Sequence, residues 1–198
     1  AIVSRQSSKL FPDLFRMMDV NHRLTVLEIG PALAETVDFF SQFKCRIHFV
    51  DLFHEAFVRE QQADLSEKEI RHAFEEQFRF PPGTRIDVCL FWDLFNYLEP
   101  EAISALTGLL QPHWYSHTRA YALGLHNIRS PRRDAVFAIS APDTLALRQR
   151  RERLPGYGPM PQSRLKEMMV GMEVQRSVLL GDGRLELLLA ATPEPSRF

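Results

Sequence analysis

The sequence has few cysteines, little net charge and no long apolar run. Its two cysteines, Cys45 and Cys89, are too few for a disulfide framework or a zinc site. The 24 basic and 25 acidic residues leave a formal net charge of -1, which argues against general nucleic-acid binding because that needs a basic surface. No apolar run approaches the ~18 residues of a membrane-spanning helix.

The first residues also lack a basic segment followed by an apolar stretch, so no secretory signal is visible. No group of histidines and carboxylates has metal-ligand spacing, so no metal is predicted. We therefore expect a reduced, cytoplasmic protein without membrane or nucleic-acid partners. With 198 residues, 45% of them hydrophobic, the whole chain is expected to form one domain around its own core.

Short apolar segments alternate with amphipathic ones along most of the chain. Helical spacing of Phe11, Leu14, Phe15 and Met18 predicts a leading helix within residues 1–20. Ser66 and Glu69 form a capping box at the start of a later helix. Buried strands are predicted at residues 24–30, 46–51, 86–92 and 119–125. Strands that alternate with helices indicate an α/β fold with a parallel sheet covered on both faces.

The end of the chain follows a different pattern. Ser163 is a candidate cap for a helix, and two apolar segments then follow at 174–180 and 185–190. Asp182-Gly183 between them suits a type I′ turn, so we predict an antiparallel hairpin that closes the sheet. Residues 127–161 hold five prolines and seven arginines, and we expect an irregular lid or insertion there.

The turn after the first predicted parallel strand contains one well-placed glycine. The dinucleotide fingerprint needs three glycines, whereas Gly30-Pro31-Ala32-Leu33-Ala34 keeps only the first. A nicotinamide-dependent oxidoreductase is consequently the weaker of the nucleotide-binding interpretations, although it stays open.

The segment Glu28-Ile29-Gly30-Pro31-Ala32 resembles the acidic-x-Gly-x-Gly turn of class I S-adenosylmethionine-dependent methyltransferases. The order of the later elements, over roughly residues 20–192, is also similar to that family. The resemblance implies a three-layer Rossmann-like sandwich with a seven-stranded, mostly parallel sheet. This sequence departs from the family at Ala32 and Ala34, and no clear third strand precedes Pro81-Pro82-Gly83.

The resemblance also implies S-adenosylmethionine as the cofactor and a set of residues that hold it. Asp51 matches the acid on the ribose hydroxyls, and His126, after the fifth strand, is a candidate general base. The cofactor residues implied together are Glu28, Gly30, Pro31, Ala32, Asp51, Leu52, Trp92 and Asp93.

Each of these residues also has a purely structural interpretation. Asp51 and Asp93 each precede helical sequence and could serve as helix caps. Trp92 suits the core, and His126 suits a hydrogen-bonded structural position. The functional hypotheses are a methyltransferase acting on an oxygen or nitrogen acceptor, small molecule or protein, and a non-catalytic methyltransferase-like scaffold or partner subunit. The first is preferred over the second and over the oxidoreductase.

Overall fold

The computed structural model describes residues 3–59 and 62–192. Nine strands and six α-helices form layers in this part of the chain. The strands are β1 Val3–Ser7, β2 Leu24–Glu28, β3 Cys45–Phe49, β4 Val88–Trp92, β5 Arg119–Leu125, β6 Ala135–Ala141, β7 Thr144–Gln149, β8 Met172–Leu179 and β9 Arg184–Ala191. The helices are α1 Phe11–Arg16, α2 Ala34–Phe40, α3 Ala56–Arg59, α4 Glu67–Gln77, α5 Pro100–Leu110 and α6 Gln162–Met168.

The central sheet has the strand order β3-β2-β4-β5-β9-β8. The pairs β2–β3, β2–β4 and β4–β5 are parallel, and Val26 of β2 lies opposite both Ile47 and Val88. The pairs β5–β9 and β8–β9 are antiparallel. The predicted α/β class, a mostly parallel sheet closed by a C-terminal antiparallel hairpin, is therefore confirmed.

The central sheet has six strands within the described residues, so the expected seventh is wrong for this part of the chain. The stretch between β3 and β4 forms helices and turns instead. Pro81 and Pro82 follow α4 closely, and proline lacks the N–H that a central strand must donate. The two prolines thus explain why no clear strand could be recognised in the sequence before Gly83.

Side chains alternate between the two faces of the sheet, which gives the molecule its two apolar layers. On β4, Cys89 and Phe91 face the cluster that includes residues of α4, α5 and α6. Val88, Leu90 and Trp92 face the opposite cluster, which includes residues of α1, α2 and the β6–β7 hairpin. All five residues are at most 2% exposed, because both faces of a parallel sheet are covered.

Two helix starts were predicted from capping residues, and only one is confirmed. At α4 the Ser66 hydroxyl accepts from the Glu69 N–H, and the Glu69 carboxylate accepts from the Ser66 N–H. At α6 the cap position is Pro161, and Ser163 makes no capping hydrogen bond. The helix begins at Gln162, two residues earlier than a Ser163 cap would require and directly after the proline.

The C-terminal hairpin forms as predicted, but through a different turn. The Gly183 N–H donates to the Leu180 carbonyl, and the Leu180 N–H donates to the Arg184 carbonyl. Gly183 has φ +86°, whereas Asp182 does not take a positive φ. A type I′ turn needs positive φ at both central residues, so the loop has three residues and ends at a left-handed glycine.

The leading segment is more than the single helix that was predicted for residues 1–20. Helix α1 is present, but Val3–Ser7 forms strand β1, which pairs antiparallel with β7. This strand is mostly exposed, so it has little apolar alternation to reveal it. Its partner lies some 140 positions away in the chain, for example Val3 opposite Arg148.

The segment 127–161 is not irregular throughout. Residues 135–149 form the hairpin β6–β7, which with β1 makes a second, three-stranded antiparallel sheet. Phe137, Ile139, Leu145 and Leu147 of this hairpin are buried. The proline and arginine content of the whole segment concealed two apolar runs that flank Pro142 and Asp143.

In residues 3–59 and 62–192 no helix combines the length and apolar character of a membrane span.

Candidate functional site

The turn between β2 and α2 is shaped by Gly30. This residue has φ +152°, a conformation that side chains rarely allow, and a Cβ there would lie 3.4 Å from Glu28 Oε1. Pro31 is half-buried and Ala32 is exposed. Ligands of open α/β sheets bind at the carboxyl ends of the strands where the strand order reverses, which here is between β2 and β4. The turn therefore lies beside the expected ligand crevice.

Glu28 and Trp92 form a buried pair behind this turn. The Trp92 Nε1–H donates to Glu28 Oε1, and both residues are 2% exposed. Burial raises the pKa of Glu28 to about 8, although the bond from Trp92 opposes the rise. The Trp92 ring also stacks on Phe137 of the hairpin. These contacts give the two residues a structural role behind the turn.

Asp51 follows β3 and is positioned by a histidine. Asp51 Oδ2 lies 2.5 Å from His54 Nδ1, and the Asp51 side chain makes no capping hydrogen bond. Its other oxygen, Oδ1, is buried and lacks a hydrogen-bond partner among the described residues. The neighbouring Leu52 is fully buried. Asp51 thus keeps one acceptor atom available for a ligand hydroxyl.

Asp93 follows β4 and is paired with an arginine from the hairpin. Arg150 Nη2 lies 3.3 Å from Asp93 Oδ1, and the two side chains are 7% and 8% exposed. Burial raises the pKa of Asp93 to about 6, while the Arg150 charge opposes the rise. The Arg150 guanidinium also lies 4.1 Å from the centroid of the Phe53 ring. Asp93 makes no side-chain helix cap.

A cavity of about 490 Å³ opens in front of these residues. Its walls come from the turn after β2, from Phe53 and His54 after β3, and from the end of β7 and the residues that follow it. Arg59, Arg148, Arg150 and Arg151 supply its basic groups. Most of these already have carboxylate partners, since Arg148 pairs with Glu35 and Arg59 with Glu152.

The eight predicted cofactor residues and the predicted base do not all come together. Pro31 lines the cavity, whereas Gly30, Asp51 and Asp93 do not. Gly30 precedes Pro31 in the chain, and the side chains of Asp51 and Asp93 pair with the lining residues His54 and Arg150. Glu28, Leu52 and Trp92 are buried, and Ala32 is exposed on the turn. His126 is exposed after β5, and its backbone N–H donates to the Gly183 carbonyl. It does not line the cavity. Its position gives no support for a base role.

Sequence reasoning missed Phe53, His54 and two arginines, Arg148 of β7 and Arg150 just after it. Phe53 and His54 lie within three residues of Asp51, so they could have been inferred once Asp51 was chosen. Arg148 and Arg150 reach the site only through the β6–β7 hairpin. Two apolar runs separated by Pro142 and Asp143 were the available signal for that hairpin.

No protein-family model matches this sequence, and no curated protein matches it in sequence. Solved structures do match the fold. A putative methyltransferase from Thermobifida fusca superposes with a TM-score of 0.55 at 10% identity, covering 93% of this chain and 80% of that one. The CcbJ methyltransferase from Streptomyces caelestis gives a TM-score of 0.52 at 11% identity, with 92% and 94% coverage.

A third structure was solved with a bound ligand. It is the 1,6-didemethyltoxoflavin-N1-methyltransferase from Burkholderia thailandensis with S-adenosylhomocysteine, with a TM-score of 0.50 at 12% identity and coverage of 93% and 78%. At these identities the comparisons show that this chain has the Rossmann-like α/β fold of methyltransferases.

Proposed function

We propose that the chain is an S-adenosylmethionine-dependent methyltransferase that acts on an oxygen or nitrogen of a small molecule or protein. The observation that carries the proposal is the enclosed cation position beyond the ends of β3 and β4. Asp93 and the ring of Phe53 lie against the positively charged guanidinium of Arg150 there. A carboxylate together with an aromatic ring stabilises an organic cation, and the cofactor would supply a methyl group activated on a sulfonium cation.

The residues at the crevice fit this cofactor in two further respects. Asp51 Oδ1 is a buried acceptor that lacks a partner among the described residues, which suits a ribose hydroxyl. Gly30 has no side chain where the chain turns beside the crevice, so a ligand can approach the backbone. Asp51, the Gly30–Ala32 turn and Asp93 would therefore hold the cofactor, and the cavity in front of them would receive the acceptor.

The protein's part in such a reaction is chiefly alignment. The sulfonium already carries a good leaving group, the neutral thioether, so holding the acceptor in line with the methyl group supplies most of the rate enhancement. The hairpin and the segment after β3 enclose the cavity on two sides and would limit its access to water. A base is needed only for an acceptor that must lose its proton early.

A non-catalytic scaffold or partner subunit is the second candidate, and one observation favours it. Arg150 already fills the cation position beside Asp93, as expected if the site had lost its ligand. The oxidoreductase is not proposed, because the turn keeps only one of the three fingerprint glycines.

Calorimetric titration with S-adenosylhomocysteine tests the cofactor site. Asp51→Ala removes the acceptor for a ribose hydroxyl, and a bond to a charged acceptor contributes ~1.5–3 kcal/mol. We expect affinity at least ~10-fold weaker than in the parent, with an unchanged melting temperature. Asp64→Ala is the control, since Asp64 is exposed and away from the cavity, and it should bind like the parent. Equal affinity in Asp51→Ala would contradict this site.

Methyl transfer needs its own assay. Incubation with methyl-labelled S-adenosylmethionine and a cell extract should move label into a small-molecule or protein fraction. Binding without any transfer of label would favour the scaffold instead.

A further inference from the structure

Arg150 holds the position that a cationic ligand would need. Its side chain is 7% exposed, with Nη2 3.3 Å from Asp93 Oδ1. The centre of its guanidinium is 4.1 Å from the Phe53 ring centroid and 5.8 Å from that of Tyr97. One carboxylate and two aromatic rings thus surround a resident positive charge. A second cation cannot share this buried space, because like charges repel strongly where water is excluded.

We infer that Arg150 is a side-chain gate on the cofactor site: its guanidinium occupies the cation position in the free protein, and S-adenosylmethionine binds only after it turns away. This inference rests on the proposed cofactor. The gate lowers the apparent affinity in proportion to the fraction of molecules in which the position is open.

The hairpin that carries Arg150 stays in place while the side chain moves. Strand β7 pairs with both β1 and β6, and Leu145 and Leu147 are buried in the core. The Arg150 N–H also donates to the Asp134 carbonyl, which extends the hairpin pairing. Withdrawing the whole hairpin would expose this apolar surface. Turning one side chain leaves it buried, so the side chain is the moving part.

The closed position is imperfectly satisfied, which lowers the cost of opening. Arg150 Nε is buried and finds no hydrogen-bond partner in the described part of the chain, and a buried unpaired donor is destabilising. The contact with Asp93 at 3.3 Å is also longer than the best charge-assisted hydrogen bonds. In the cavity the guanidinium would regain water as a partner.

Calorimetry with two probes tests the gate. S-adenosylmethionine carries a sulfonium, whereas S-adenosylhomocysteine has a neutral thioether in the same place. Arg150→Ala should tighten S-adenosylmethionine binding about 10-fold, equivalent to about 1.4 kcal/mol. S-adenosylhomocysteine should gain less, because only the steric part of the competition applies to it.

Two further variants protect the test. Arg150→Gln keeps an amide that can donate to Asp93, but it is uncharged and too short to cover Phe53. If Arg150→Ala fails to fold, Arg150→Gln should likewise tighten binding of S-adenosylmethionine more than binding of S-adenosylhomocysteine. Arg129→Ala is the matched control, since Arg129 is exposed in the same arginine-rich segment and should leave both affinities unchanged.

The outcomes separate the gate from the proposed function. Unchanged or weaker binding in folded Arg150 variants, with measurable binding in the parent, overturns the gate and leaves the methyltransferase proposal standing. Weaker binding in particular would mean that Arg150 contacts the bound cofactor and stabilises it instead of competing with it. Failure of the parent and of every folded variant to bind either compound overturns both.

Discussion

The indole N–H of Trp92 donates a hydrogen bond across the sheet to the buried carboxyl group of Glu28. The pair lies directly beneath the Gly30 turn, because β2 and β4 are neighbouring parallel strands. The backbone of Trp92 is strained: its φ is +51°, which is uncommon for a bulky residue. Strain of this kind persists only where surrounding contacts hold the residue, and here the ring stacks on Phe137.

Replacing Glu28 with Gln should remove a pH dependence of stability. Burial raises the pKa of Glu28 to about 8, and the charge of Asp51 adds to the rise. Between its usual pKa and about 8, the folded state holds a proton that the unfolded state has lost. Stability therefore falls as pH rises through this window, by up to ~1.4 kcal/mol per pH unit.

Urea unfolding of the parent and Glu28→Gln at pH 6.5 and pH 8 measures this effect. The parent should lose about 2 kcal/mol between the two pH values, and Glu28→Gln should lose much less. Glu167→Gln changes an exposed glutamate of α6 and should follow the parent. Parallel curves for parent and Glu28→Gln would show that Glu28 is already ionised in the folded protein.

A buried carboxylate ties the N-terminal segment to the central sheet. Glu186 of β9 is fully buried and accepts from the Ser8 hydroxyl at 2.6 Å, the Tyr121 hydroxyl at 2.7 Å and the Lys9 N–H at 2.8 Å. The Ser8 oxygen also accepts from the Phe11 N–H at the start of α1. Ser8 thus links β9 to the first helix.

Ser8→Ala should destabilise the fold by about 1.5–3 kcal/mol, since a buried charged acceptor loses one of its donors. Ser163→Ala is the control, because Ser163 is exposed and caps no helix, and it should stay within ~0.5 kcal/mol of the parent. Chemical denaturation of the three proteins is sufficient. Equal losses in both variants would contradict the network described around Glu186.

The parallel part of the fold could be predicted because each of its elements carries its own local pattern. Strands β2 and β4 are buried on both faces and have short, largely apolar sequences, and Ser66 with Glu69 marks a helix start. Strand β1 and the β6–β7 hairpin could not be found in the same way. The partner of β1 is far away in the chain, and the hairpin sits within a segment whose average composition resembles a loop.

The candidate site likewise combines residues that follow recognised strands with one residue that follows the unrecognised hairpin. Gly30, Asp51 and Asp93 follow strands that were recognised, so topology alone brings them to one edge of the sheet. Arg150 arrives from the unrecognised hairpin, and its side chain decides whether the cation position is open. His126 was chosen because it follows β5, but no residue at the end of that strand lines the cavity.

Ala32→Gly should have little effect on cofactor affinity, even though it restores the glycine that the methyltransferase motif carries. Ala32 is exposed, and it does not take a positive φ, since Trp92 is the one non-glycine residue of the described chain that does. The turn has therefore adapted to the alanine, and removing its methyl group relieves no strain. We expect less than a twofold change in S-adenosylhomocysteine affinity and a small loss of stability from the added freedom of the unfolded chain, about 0.4–1 kcal/mol.

Gly30→Ala is the contrasting variant at the same turn. It places a side chain on a residue with φ +152° and brings a Cβ to 3.4 Å from Glu28 Oε1. It should therefore lower the melting temperature clearly and weaken the binding of S-adenosylhomocysteine. Calorimetry and thermal unfolding of both variants compare the two positions directly. A tenfold gain in affinity from Ala32→Gly would show that the alanine methyl obstructs the ligand. The loss of the motif's second glycine, and not Arg150 alone, would then limit binding.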